Sequence, residues 1–155
     1  MKKRKSLAAT YIKIIIALLI IACGIYFGFR FLNKEYNIEE FETVKTNLLL
    51  IQGKTEIIAQ KVEIKEEGAK YIGTPIKEKQ EEAQIKNLIE SNVINIDSED
   101  SNYYYIDNGN LGELGLENMN IDGNFVVDYK QNDVIYVNGI KNESGHTVYK
   151  LSEMS

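Results

Sequence analysis

An apolar run near the N-terminus constrains this chain more than any other feature. Four basic residues, Lys2, Lys3, Arg4 and Lys5, precede it, and Lys13 is the only charge between residues 7 and 29. A helix needs about 20 residues to cross a hydrocarbon layer ~30 Å thick. Residues 11–31 are therefore long enough to span a membrane.

Two other fates for this run fit the residues less well. A cleaved secretory signal has an apolar core of about 7–15 residues that ends at a small-x-small site. Ala8-Ala9 comes too early for that, and Ile21-Ala22-Cys23 is followed by more apolar chain. Leu19-Ile20-Ile21-Ala22-Cys23-Gly24 is similar to a lipidation signal at Cys23. Lys13, however, lies where such signals avoid charge, and Gly24-Ile25-Tyr26-Phe27-Gly28-Phe29 prolongs the apolar run instead of opening a polar tether. A retained helix accommodates Lys13 by extending its ammonium group to the headgroups.

The heavier basic flank precedes the helix, whereas Arg30 and Lys34 are soon followed by Glu35, Glu39, Glu40 and Glu42. Positive charge stays on the cytoplasmic side. The expected organisation is a basic cytoplasmic leader over residues 1–10, a transmembrane helix over 11–31, and an extracytoplasmic domain over 33–155. Ala17, Ala22, Gly24 and Gly28 are the small residues through which such a helix approaches a neighbour, Gly24 and Gly28 with GxxxG spacing.

Charge divides the chain sharply. Residues 31–155 carry twelve basic and twenty-three acidic side chains, a net of −11. An acidic body does not hold nucleic acid by phosphate neutralisation, which needs clustered Lys and Arg. The single cysteine, Cys23, lies in the apolar run, so no disulfide staples the body. Its stability must come from a packed core.

After the apolar run, Phe41, Val44, Leu48, Ile51, Thr55, Ile58 and Val62 recur at spacings of three and four. That is one face of a helix over residues 37–67. Thr55 is its weak member, and Gly53 costs about 1 kcal/mol relative to Ala. A core-facing helix is the first reading of this stripe and a coiled coil the second. A narrower stripe, Leu50, Ile57 and Ile64, repeats every seven residues well round the cylinder and is open to the next helix or to a neighbour. Only polar residues separate this helix from the apolar run, so one long helix with a break near residues 33–37 is expected.

Thr74 suits an N-cap and Pro75 a first helical position, which predicts a short, mostly exposed helix over 75–91 carrying Ala83, Ile85, Leu88 and Ile89. Val93-Ile94-Asn95-Ile96 reads as a short strand and Tyr103-Tyr104-Tyr105-Ile106 as another. Residues 110–116 read as one helical turn closed by a glycine. Phe125-Val126-Val127-Asp128-Tyr129 and Val134-Ile135-Tyr136-Val137 form a hairpin, and Thr147-Val148-Tyr149-Lys150-Leu151 an edge strand. An antiparallel sheet over 103–151 results. Of the ten tyrosines in the chain, those in this region pack sheet faces with wet hydroxyls.

Reactive groups are sparse. The only histidine, His146, sits beside Ser144 in a polar turn. No His or Cys cluster has zinc spacing, and no glycine-rich turn suits a phosphate. Asn118, Asn120, Asp122 and Gly123 match positions one, three, five and six of a calcium loop, but Tyr129 stands where the bidentate glutamate belongs. The acidic loop of Asp97, Ser98, Glu99 and Asp100 is a better cation candidate, and a solvated loop the simpler reading. The expectation is a protein without enzymatic activity, cofactor or metal.

This layout resembles that of type IV pilins and pseudopilins. Thr43-Val44-Lys45-Thr46-Asn47-Leu48-Leu49-Leu50-Ile51-Gln52 is similar to the post-membrane half of the family's long helix. Residues 111–116, followed by the Phe125 and Val134 runs, resemble C-terminal parts of pilin-like proteins from low-GC Gram-positive bacteria. The resemblance implies an α+β fold in which a single N-terminal transmembrane helix continues into a long amphipathic helix packed on a small antiparallel sheet. It also implies a structural or accessory role in a type IV pilus, pseudopilus or related secretion or DNA-uptake assembly. Membrane lipid, pilin-like subunits and an assembly platform protein are the partners it implies. The chain departs from the family at Ser6-Leu7-Ala8-Ala9-Thr10-Tyr11, where the glycine of the cleavage site and the glutamate at mature position five are missing. The alternative is a single-pass anchored surface module that binds a protein or ligand outside any pilus.

Overall fold

The computed structural model describes residues 2–32 and 36–155, with side chains described for 9–26 and 36–155. The chain divides into two units, Met1–Tyr36 and Asn37–Ser155. The first consists of helix α1, Lys2–Leu32. The helix includes most of the basic leader, residues 2–10.

The second unit is α+β. Helix α2, Ile38–Glu63, opens with its own cap: the Asn37 side chain accepts from the backbone N–H groups of Glu39 (3.0 Å) and Glu40 (3.3 Å). A capped start makes α2 a helix in its own right, beginning just after the expected break. Residues 33–35, within the expected break, lie outside the described residues. The helix ends four residues short of the expected 67 because Lys65 turns left-handed (φ 54°). The Glu66 N–H then returns to the Lys61 carbonyl at 3.0 Å, closing the orphan carbonyls of the last turn.

Five antiparallel strands follow in the order β1-β2-β3-β4-β5. They are β1 (Thr74–Pro75), β2 (Tyr103–Ile106), β3 (Phe125–Asp128), β4 (Asp133–Lys141) and β5 (Thr147–Lys150). Helix α3, Ala83–Glu90, lies between β1 and β2, and α4, Asn108–Glu113, between β2 and β3. The expected hairpin is β3–β4, with Val126 opposite Ile135 and Asp128 opposite Asp133. The expected edge strand is β5. Helix α4 is the expected turn, capped reciprocally by Asp107 and Asn110 and stopped by Gly115 at φ 72°.

Two expectations fail, each for a local reason. Thr74 and Pro75 do not start a helix. They pair with Tyr105 and Tyr104 as the edge strand β1, where a residue lacking an N–H is tolerated. Just before them, Gly73 (φ 105°) passes so close to β2 that a Cβ there would lie 2.6 Å from the Tyr105 carbonyl oxygen. Secondly, Val93–Ile96 is not a strand. Asn92 turns left-handed (φ 58°), and the N–H groups of Val93 and Ile94 both return to the Leu88 carbonyl, at 2.9 and 3.3 Å. These donors close the end of α3 and are lost to any ladder.

The short helix is mostly exposed, as expected, but two of its residues anchor it. Ile85 and Leu88 are wholly buried. With Ile76 and Ile94 they pack on Tyr105, Val126, Ile135 and Val137 of one sheet face. All four residues of β3 are buried, so the opposite face, with Phe125, Val127 and Val134, needs its own cover. The buried residues of α2 are absent from the α3 cluster, and α2 packs along β4. Helix α2 therefore covers that second face.

Leu88→Ala is accordingly expected to destabilise the body by about 2–5 kcal/mol. Ala83→Ser, at an exposed position of the same helix, should stay within about 0.5 kcal/mol. Urea unfolding of the two variants measures the difference.

Candidate functional site

The residues available for interaction lie on the two long helices. In α1, residues 9–26 form an 18-residue window of mean hydropathy 2.2, none of it buried. Ala17, Ala22 and Gly24 are exposed, and a Cβ on Gly24 would meet nothing within 4 Å. Cys23 is a free, exposed thiol. Gly28 lies outside the residues whose side chains are described. One apolar helix near the N-terminus, of anchor length, is therefore present.

In α2, the expected core face is the face that packs. Phe41, Leu48, Ile51 and Thr55 are buried, while Val44, Ile58 and Val62 are half-buried. Thr55, weak by hydropathy, fits because its hydroxyl donates within the helix to the carbonyls of Ile51 (3.0 Å) or Gln52 (3.1 Å). The second stripe stays open: Leu50 is half-buried, Ile57 is 52% exposed and Ile64, the cap residue, 74% exposed. Neither α3 nor the sheet closes over Ile57 and Ile64. Exposed Lys54 and Lys61 flank this stripe on one side and exposed Glu56 and Glu63 on the other. These flanks were readable from the seven-residue repeat, since they sit beside its seam positions.

The polar loops are tied down by the backbone. In the acidic loop, Lys130 Nζ donates to the Glu99 carbonyl, and Gln131 Nε2 to the Asp100 carbonyl at 2.7 Å. The side chains of Asp97, Glu99 and Asp100 are exposed. Asn118, Asn120 and Asp122 lie exposed in the turn before β3, with Asn120 at φ 49°. Among the described residues no three His, Cys, Asp or Glu side chains gather as a metal site. His146 and Ser144 are exposed in the β4–β5 turn, where Asn142 Oδ1 accepts both their backbone N–H groups. A shallow cleft of about 540 Å³ at the β3–β4 turn is lined by Lys45, Leu49, Tyr103, Asp128 and Lys150 among others.

One tyrosine departs from the wet-hydroxyl expectation. Tyr129 is buried against the rings of Tyr71 and Tyr104, at centroid distances of 4.5 and 5.3 Å. Its hydroxyl accepts from the Ile72 N–H (3.1 Å) and donates to the Ile72 carbonyl (2.9 Å). That clamp ties the segment after α2 to the sheet. Burial pushes the phenol up to about 12, although the bond to Ile72 acts the other way.

No protein family, no curated protein and no solved structure matches the chain.

A phenol whose pKa is higher in the folded state than in the unfolded chain stabilises fully below its unfolded value, about 10. That contribution is lost as pH rises through about 12. Tyr129→Phe leaves the Ile72 donor and acceptor unpaired at an expected cost of about 1–3 kcal/mol at pH 8. In paired urea titrations the gap between the two proteins should narrow from pH 10 upward. Their difference cancels the lysines that titrate in the same range.

Proposed function

We propose that the protein is a single-pass, membrane-anchored subunit of pilin-like plan. It serves a type IV pilus, a pseudopilus or a related secretion or DNA-uptake assembly in a structural or accessory role. One observation carries this reading: an apolar helix of spanning length is followed by an amphipathic helix laid over a small antiparallel sheet. The basic flank of Lys2, Lys3, Arg4 and Lys5 supports a cytoplasmic N-terminus and an extracytoplasmic body. Without the cleavage-site glycine and the position-five glutamate, the protein acts uncleaved, as a minor or accessory component. Its membrane contacts run through Ala17, Ala22, Gly24 and Gly28, where small residues let helix backbones approach. Membrane lipid, pilin-like subunits and a platform protein are its partners.

A second reading, an anchored surface module that binds a protein or ligand, is favoured by the separate cap at Asn37. The body forms its own compact unit from that residue onward, so it needs no helix shared with the anchor.

The proposal is tested on the protein in its native membrane. Mass analysis should find an N-terminus ahead of residue 23 and an unmodified Cys23, and protease added to intact cells should remove the body. Cross-linking through Cys23 should capture another copy or a pilin-like subunit. A chain starting at or beyond residue 23, a protected body, or only monomers at native expression would each overturn it.

A further inference from the structure

We propose that the outer stripe of α2 is a dimerisation seam, and that its occupant is the same stripe of a second copy, parallel and in register. Leu50, Ile57 and Ile64 recur every seven residues, and Thr46, Gly53 and Gln60 fall between them at spacings of four and three. This is a two-stranded coiled-coil seam with the apolar residues at the a positions and the small or polar ones at d. All six face away from the core stripe. Five are exposed and Leu50 is half-buried.

The flanking charges select the partner. With this register, Glu56 and Glu63 occupy g, and Lys54 and Lys61 occupy e. In a parallel pair a g residue meets the e residue five positions further along the other helix. Glu56 then faces Lys61 of the second copy, and symmetry repeats the contact on the other side. An antiparallel pair sets g against g and e against e, which brings glutamates to glutamates and lysines to lysines. The charges therefore favour the parallel over the antiparallel arrangement, and the chain carries its own complement at both flanks. Within one chain Lys61 pairs with Glu66 at 3.5 Å, with both side chains about half exposed. An exposed pair of this kind is weak and yields readily to a new partner.

Gly53 supplies an independent sign. It lies mid-helix, where glycine is unfavourable, yet a Cβ there would meet nothing within 4 Å. Among the described residues nothing requires its smallness. At a d position facing a second helix, the missing side chain lets the backbones approach.

The inference concerns the body alone. It requires no pilus, so it stands or falls separately from the assembly role proposed above.

The test uses the full chain in membranes with Cys23→Ser, so that the only thiol is introduced. Gln60→Cys places it at a d position without removing an apolar residue, and Ser144→Cys, in the exposed β4–β5 turn, is the control. Oxidation should give disulfide-linked homodimers for Gln60→Cys well above the control. Adding Glu56→Lys or Lys61→Glu singly should lower the linked fraction about fivefold, two weak attractions becoming repulsions. Combining the two should restore it, because the exchanged side chains of a parallel pair again carry opposite charge where they meet. Linkage no higher than the control, linkage only to a different protein, a single swap that leaves or raises linkage, or a double swap that fails to restore it would each overturn the seam. All substituted positions are exposed, and the urea midpoint of each variant verifies that the body is folded.

Discussion

Strand β3 is buried on both faces, and the rest of the body is arranged around that constraint. A four-residue strand with no wet side demands two covers. Helix α3 and its flanks supply one, and α2 supplies the other. The end of the strand needs a further solution, because Asp128 is buried. Its Oδ1 accepts from the N–H groups of Asn102, Lys130 and Gln131, at 2.9, 3.1 and 3.3 Å. A buried carboxylate is tolerated only when its lone pairs are occupied, and here it organises the turn that brings β4 back. The acidic loop is then held by side chains of that same turn. The packing of two helices and the placement of two loops thus depend on one short strand.

The sheet offers little to a partner at its edges. An open strand edge is a template for pairing with another chain, and both edges here are blunted. At one end, β1 has two residues and one of them is Pro75. At the other, the N–H groups of Tyr149 and Lys150 turn to Glu153 Oε2, at 3.4 Å each. With both faces covered and both edges blocked, the exposed large apolar residues of the described body are mainly those of α2: Ile38, Leu49, Ile57 and Ile64, with Met119 apart from them. The apolar surface exposed on the described residues therefore lies mainly on helices, on α1 and along α2.

Much of this was legible in the sequence because periodicity reports burial directly. The three-and-four spacing from Phe41 to Val62 found the packed face of α2, and the β-branched runs found β3 and β4. The errors came where short polar residues decide the chain's path. Asn92 ends α3 and draws Val93 and Ile94 back onto it, which a reading by β-propensity counts as a strand. Thr74-Pro75 carries the local signature of a helix start, yet pairing with β2 overrides it. Helix α3 looked polar because eight residues offer only two wholly buried positions, Ile85 and Leu88, and two buried residues suffice to seat so short a helix. Thr55 was marked down on hydropathy, whereas its hydroxyl is satisfied inside its own helix. The flanks of the outer stripe were visible as residues but acquired meaning only once Ile57 and Ile64 proved uncovered.

Net charge and local charge act on such a surface at different ranges. The body carries −11, so two copies repel as wholes and unspecific apolar association is discouraged. At physiological ionic strength this repulsion decays over about 8 Å. Groups brought nearly into contact escape most of that screening. A stripe edged by glutamate on one side and lysine on the other can therefore attract its own kind at close range while the bodies repel further out. Three apolar seam residues bind weakly in free solution. If α1 anchors both chains in one membrane, as proposed, their effective concentration rises and their orientation is restricted, which strengthens association without any added contact. A weak, self-complementary stripe on an acidic body is well matched to a chain whose other unit is an apolar helix of spanning length.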